Sequence, residues 1–157
     1  MEYSELLNAL GREMGGVELT PDESGTVFLG AKDATLAIVG DEMSGMVVLM
    51  ADIAPIPFAR RDEFFAMALR ANWLGSAGGA VLAINPKSER LALNRHLPMA
   101  LLTDTSFVEE VRRFLETLCR WSGLAADWGD SLAERSDAAT GDEEEDSDRV
   151  RRDYIRI

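Results

Sequence analysis

The hydrophobic period of the chain changes at a cluster of glycines near residue 75, and this change restricts the fold more than any other sequence feature. Before the cluster, the apolar side chains of residues 64–71 recur at helical spacing. Gly75, Gly78 and Gly79 end that helix, because glycine disfavours the helix interior and is common in the turn that follows. Residues 81–84 form a short apolar run typical of strands. The sequence therefore predicts a helix, a glycine break and a strand in succession.

A further strand and helix follow this break. Residues 85–88 are Asn-Pro-Lys-Ser, a turn sequence, and Leu91 and Leu93 alternate with other residues as in a half-buried strand. Asp104 or Thr105 can cap the next helix. One face of that helix is apolar and comprises Phe107, Val111, Phe114, Leu115 and Leu118. This half of the chain is therefore predicted to be helix, hairpin and helix.

The first half of the chain predicts one more helix and a set of strands. An amphipathic helix over residues 4–14 ends at Gly15 and Gly16. Four apolar segments separated by glycine-containing turns then indicate an antiparallel meander. They cover residues 17–19, 26–29, 35–39 and 46–50. The second of them is either a strand or the approach to one. Pro55 and Pro57 separate the meander from the next helix.

Together these segments predict an α+β domain. The sheet is expected to be antiparallel with about five strands, and three helices accompany it in the order helix, three strands, helix, two strands, helix. The helices supply the cover that one face of such a sheet needs. We place this domain in residues 1–128. Residues 129–157 hold ten acidic and five basic residues, with a dense anionic run at 141–148, and are predicted to form a disordered tail.

Charge and composition exclude several classes of function. The net charge is −12 and the pI is about 4.5, whereas nucleic acids and anionic membranes attract basic surfaces. The single cysteine, Cys119, cannot form an internal disulfide and is predicted to be a buried structural thiol, which fits a reducing cytosol. The sequence shows neither a secretory signal nor an apolar run long enough to insert into a membrane. We therefore expect a protein used inside the cell.

The motifs of covalent chemistry are missing from the sequence. Phosphate-binding loops, the GxGxxG pattern, HExxH, paired CxxC and the GxSxG elbow do not occur. His96, the single histidine, is expected in a loop before Leu97 and Pro98, and the carboxylate pairs are expected at the solvated surface. We therefore predict no catalytic residues, no metal ligands and no cofactor, and a binding protein rather than an enzyme. The alternative class is an enzyme with an unfamiliar site.

The order of several short features resembles a known family. These features are Ala71-Asn72, Gly78-Gly79, the apolar strand at 81–84, the strand at 91–93, Leu97-Pro98, and Phe107 with Phe114 and Trp121. In that order and spacing the chain is similar, over residues 1–121, to the class I chaperones of bacterial type III secretion, the Tir-chaperone type.

The resemblance implies a function and a set of partners. It implies a homodimer in the bacterial cytoplasm that binds an extended N-terminal segment of a secreted effector, keeps the effector soluble and export-competent, and delivers it to the secretion apparatus. An export ATPase is the further partner that it implies. The alternative within the same fold is a chaperone-like regulator that sequesters a protein controlling type III secretion gene expression.

The resemblance also guides the choice of contact residues. The predicted effector-binding residues are Leu6, Leu10, Met14, Val27, Leu29, Ile38 and Val48. The predicted dimer-interface residues are Phe65, Leu69, Trp73, Val81 and Leu82. Apolar residues at helical or strand spacing can lie in an interface or in the core. The sequence does not decide between these two places for any single residue.

Overall fold

The computed structural model describes residues 2–31 and 34–138, with the backbone alone at residues 31 and 129–138. The helices are α1 (Tyr3–Glu13), α2 (Arg61–Trp73) and α3 (Asp104–Ala138), and a short 3-10 helix spans Met99–Leu101. The strands are β1 (Thr26–Ala31), β2 (Ala34–Asp41), β3 (Met46–Pro55), β4 (Val81–Asn85) and β5 (Arg90–Pro98). The predicted element order of helix, three strands, helix, two strands and helix is confirmed.

The five strands form one antiparallel sheet in the order β1-β2-β3-β5-β4. Residues 26–29 belong to β1 and are a strand rather than the approach to one. The strand predicted at residues 17–19 was wrong. The backbone N–H groups of Gly16 and Val17 both donate to the carbonyl of Gly11, so this segment folds back onto α1 instead of joining the sheet.

One face of the sheet, the inner face, packs against the helices and forms the core. Side chains alternate between the two faces of a strand, and most of the residues on this face are almost fully buried. They are Val27, Leu36, Ile38, Val47, Leu49, Ala51, Leu82, Leu91, Leu93 and Leu97. The helices contribute Leu6, Leu7 and Leu10 from α1 and Phe107, Val111, Phe114, Leu118 and Trp121 from α3. The core thus lies between the sheet and these two helices.

Helix α2 lies beside the sheet, along the edge formed by β4. The side-chain amide of Asn72 donates to the carbonyl of Leu82 at 2.9 Å and accepts from the Leu82 N–H at 2.8 Å. The same helix buries Phe64 against the core, and the Phe64 ring meets that of Trp128 in an edge contact with centroids 6.1 Å apart. These contacts fix α2 to both β4 and α3.

Helix α3 continues beyond the predicted domain boundary at Trp128. Trp128 packs against the core, and the guanidinium of Arg60 lies 5.3 Å from the centre of its ring. The helical backbone then runs on to Ala138, so the first ten residues of the predicted tail are helical. Residues 139–157, which hold the dense anionic run, lie outside the described residues.

Two residues lie in environments that differ from the predictions. His96 belongs to β5 and is exposed, whereas a loop was predicted. Cys119 is exposed, whereas a buried thiol was predicted. The core-facing stripe of α3 passes through Leu118, and the next residue is rotated by about 100° around the helix. Cys119 therefore faces solvent although Leu118 beside it is buried.

Tyr3 ties the start of α1 to the sheet. Its hydroxyl donates a hydrogen bond of 2.9 Å to the carbonyl of Ile38, and its ring packs so closely on Gly40 that any side chain at Gly40 would collide with it. Burial raises the pKa of Tyr3 to about 12, and the charge of Asp22 acts in the same direction. The neutral phenol is therefore the form that stabilises the fold.

Tyr3→Phe is expected to lower the free energy of unfolding by about 1 kcal/mol at neutral pH, because the buried hydrogen bond from the Tyr3 hydroxyl to the carbonyl of Ile38 is lost. The folded pKa of Tyr3 lies above the unfolded value of about 10. The stabilisation by the neutral phenol is therefore complete below pH of about 10 and is lost as the pH rises towards the folded pKa of about 12. Denaturant titrations of both proteins across this window measure the difference. A difference that stays constant up to pH of about 12 would contradict this assignment.

Candidate functional site

The outer face of the sheet, opposite the helices, forms a groove with a volume of about 710 Å³. The floor of the groove consists of small side chains. Two large apolar side chains also line the groove, Phe28 from β1 and Met50 from β3. Phe28 is 63% exposed and Met50 36% exposed. The small floor residues are Thr35, Ala37, Ala83 and Ala92. We call this surface the outer groove. A floor of small side chains lets an extended chain approach the sheet closely.

The outer groove is polar at one end. The carboxylate of Asp52 accepts a hydrogen bond of 2.8 Å from the side-chain amide of Asn85, and the Nε of Arg90 lies 3.9 Å from its second oxygen. Lys87 also lines this end. An apolar trough with charged groups at one end can distinguish the two directions of a bound peptide.

The edge formed by β1 borders the outer groove. The carbonyl of Gly25 accepts from the Gly40 N–H on the β2 side, whereas both backbone groups of Thr26 bond to Asp22 on the other side. Because backbone groups alternate in direction along an antiparallel strand, those of Phe28 and Gly30 also point away from β2. The strand contains no charged residue and no proline, the usual protections of an edge.

Asp22 marks one end of this edge. Its carboxylate accepts from the N–H groups of Ser24 and Thr26 and from the Ser24 hydroxyl. The hydroxyl of Ser24, followed by the Thr26 N–H, holds the pKa of Asp22 below its usual value. Asp22 is therefore ionised at neutral pH and occupies the backbone groups of Thr26, so that the free part of the edge begins at Phe28.

A second apolar surface lies where α2 meets β4, and we call it the α2–β4 patch. Leu69 and Trp73, which are one helical turn apart, are 68% and 89% exposed, and Leu74 is 73% exposed. From β4, Val81 and Ile84 are 51% and 46% exposed, on opposite faces of the strand. Exposed large apolar side chains on neighbouring elements are typical of surfaces that bind other proteins.

The predicted effector-binding residues do not lie on one surface. Leu6, Leu10, Val27 and Ile38 are buried in the core of the chain itself. Leu29 and Val48 are half-buried, on the inner and outer faces respectively, and Met14 is exposed just after α1. The residues available in the outer groove are instead Phe28 and Met50, which the sequence analysis missed.

The predicted dimer-interface residues lie closer together. Leu69, Trp73 and Val81 all belong to the α2–β4 patch, Phe65 is half-buried on α2, and Leu82 is buried. Leu74 and Ile84 of this patch were missed. Their signal in the sequence is weak, because a large apolar side chain beside a helix end or at a strand end is equally common in a core.

The described part of the chain offers neither a metal site nor a membrane-spanning helix. Among the side chains described in residues 2–30 and 34–128, no group of three or more His, Cys, Asp or Glu could hold a metal ion. No described helix is both long and apolar enough to cross a membrane. A sheet with one covered face, an open groove and an apolar patch is an arrangement typical of proteins that bind other polypeptides.

The comparisons with known proteins place the chain in a family. Residues 5–122 match the Tir chaperone protein (CesT) family, and the chain belongs to that family. The resemblance to type III secretion chaperones is therefore confirmed. No curated protein matches the sequence.

Solved structures share the fold. A chain of the HopA1–SchA chaperone–effector complex is 20% identical, with a TM-score of 0.64 over 77% of this chain and 93% of that one. A chain of the ExsC–ExsE complex is 18% identical, with a TM-score of 0.67 over 77% of this chain and 91% of that one. A chain of the ExoU–SpcU complex from the type III secretion system of Pseudomonas aeruginosa is 16% identical, with a TM-score of 0.56 over 78% and 97%.

Proposed function

We propose that the protein is a type III secretion chaperone that works as a homodimer in the bacterial cytoplasm. It binds an extended segment near the N-terminus of a secreted effector and keeps the effector soluble and export-competent. The observation that carries the proposal is the family match over residues 5–122, which spans the sheet, its helices and both apolar surfaces. The proposed role also includes transfer of the bound effector to an export ATPase.

The α2–β4 patch supports self-association. Burying one large apolar side chain contributes roughly 1.5–3 kcal/mol, and the patch presents several exposed ones. In a two-fold symmetric dimer each of them is buried twice, since the same surface is used by both copies. Trp73 is the strongest anchor, because it is the largest side chain of the patch and is 89% exposed in the single chain.

Trp73→Asp is expected to weaken the homodimer about thirtyfold or more, the loss associated with one hot-spot residue of about 2 kcal/mol. Light scattering after size-exclusion chromatography measures the mass. The wild-type chain should give about 34 kDa, twice the chain mass of 17.2 kDa, and the variant should approach the monomer. Met43→Asp is the matched control, because Met43 is fully exposed in the β2–β3 turn, away from the patch. A dimer retained by the Trp73 variant would assign the interface to another surface.

The outer groove and the β1 edge support binding of an extended segment. A strand added beside β1 would bond to the backbone of Phe28 and Gly30, and every second side chain would point into the groove. Phe28 and Met50 offer large apolar contacts, and methionine adapts to different partners. Binding holds the segment extended without ATP, because a ligand stabilises the state to which it binds.

Phe28→Asp is expected to weaken binding of the client segment about tenfold or more, since the substitution removes apolar contact and puts a charge in the outer groove. Isothermal titration of the purified chaperone with the client segment measures the affinity. Leu124→Asp on α3 is the matched control, because Leu124 is 49% exposed on the helical side of the molecule. Equal losses in the two variants would argue against the outer groove.

Affinity purification from the native bacterium tests the whole proposal. We expect two copies of this chain with one copy of a secreted protein, joined through the N-terminal region of that protein. Proteolysis of the complex followed by mass spectrometry identifies the protected segment. Capture of a regulator of secretion genes in its place would support the alternative function, and a monomer that retains no polypeptide would contradict both.

A further inference from the structure

The edge strands β1 and β4 each have backbone N–H and C=O groups that point away from the sheet. The two strands differ in the hydrogen-bond partners of these groups. Both β1 and β4 are free of charged residues and proline, so their sequences alone do not distinguish them. In β4, however, the side-chain amide of Asn72 bonds to both the N–H and the carbonyl of Leu82. An asparagine amide has the same donor and acceptor pair as a peptide group and here takes the place of a neighbouring strand.

With Leu82 bonded to Asn72, β4 has too few free backbone groups to pair with an added strand. The N–H and C=O groups of Leu82 both point towards α2. Because the direction of the backbone groups alternates along the strand, the next residue whose groups point away from β5 is Ile84. The strand ends at Asn85, and Pro86 follows it. A single outward residue cannot hold an added strand. In β1, Phe28 and Gly30 both remain outward, and Gly30 has open space around the position of its missing side chain.

We propose that Asn72 closes the β4 edge to strand addition and so directs an added strand to β1. The proposal builds on the proposed function, because it assumes that a client segment binds as a strand. Asn72 is in this sense a positioning residue: it contacts no client and determines which edge is available. It also lets the α2–β4 patch associate through side chains alone, without a sheet that continues from one copy into the next.

Amide hydrogen exchange followed by NMR tests the closure without any client. In the wild-type protein the Leu82 amide should exchange slowly, although it lies on an edge strand. In Asn72→Ala its exchange should be at least tenfold faster, while the amides of Leu49 and Leu93 in the sheet interior stay protected and report an intact fold. Arg70→Ala, an exposed change on the same helix, is the control and should leave Leu82 slow. Unchanged exchange at Leu82 in Asn72→Ala would overturn the proposal.

A generic strand tests the choice of edge. The probe is a synthetic hexapeptide of alternating Thr and Val with blocked ends. With the wild-type protein it should slow exchange at Phe28 and Gly30 alone, and with Asn72→Ala also at Leu82 and Ile84. A probe that protects β4 in the wild-type protein, or protects neither edge, overturns the proposal. Failure to bind an effector while the Leu82 and probe results hold would contradict only the proposed function.

Discussion

Burial of the inner face of the sheet against α3 is the interaction on which the rest of the structure depends. Phe107 and Phe114 of this helix are among the largest fully buried side chains, and α3 packs against β3, the central strand of the sheet. An antiparallel sheet needs one covered face, and α3 supplies a large part of that cover. Helix α1 completes this cover through Leu6 and Leu10, which explains why those residues cannot serve as open contacts.

Because the inner face is used for folding, the sheet itself can bind other polypeptides only through its outer face and its two edges. Two polar side chains of similar size bond to the backbone of the edge strands, one at each edge and at different positions. Asp22 bonds to the backbone of Thr26 and shortens the free part of β1 from one end. Asn72 bonds to the backbone of Leu82 and closes β4 near its middle. Together the two contacts restrict where a foreign backbone can approach the sheet.

The sequence predicts the elements well and the assignment of their faces less well. The glycines near residue 75 and the change of period fix the helix–hairpin–helix half, and the family resemblance adds the element order. Which face of β1 is open depends on register, because Phe28 and Leu29 exchange roles if the strand shifts by one residue. The contacts of Asn72 with Leu82 depend on tertiary geometry and leave no local pattern in the sequence.

The three tryptophans lie in three different surroundings, so the intrinsic fluorescence of the chain can report on its association. Trp121 is buried in the core, Trp128 lies between Phe64 and Arg60, and Trp73 is largely in water. Indole emission moves to shorter wavelength when water is removed from the ring. Association through the α2–β4 patch would therefore change the emission of one ring and leave the other two as an internal reference. Fluorescence alone can thus follow assembly in dilute solution, without a label on the protein.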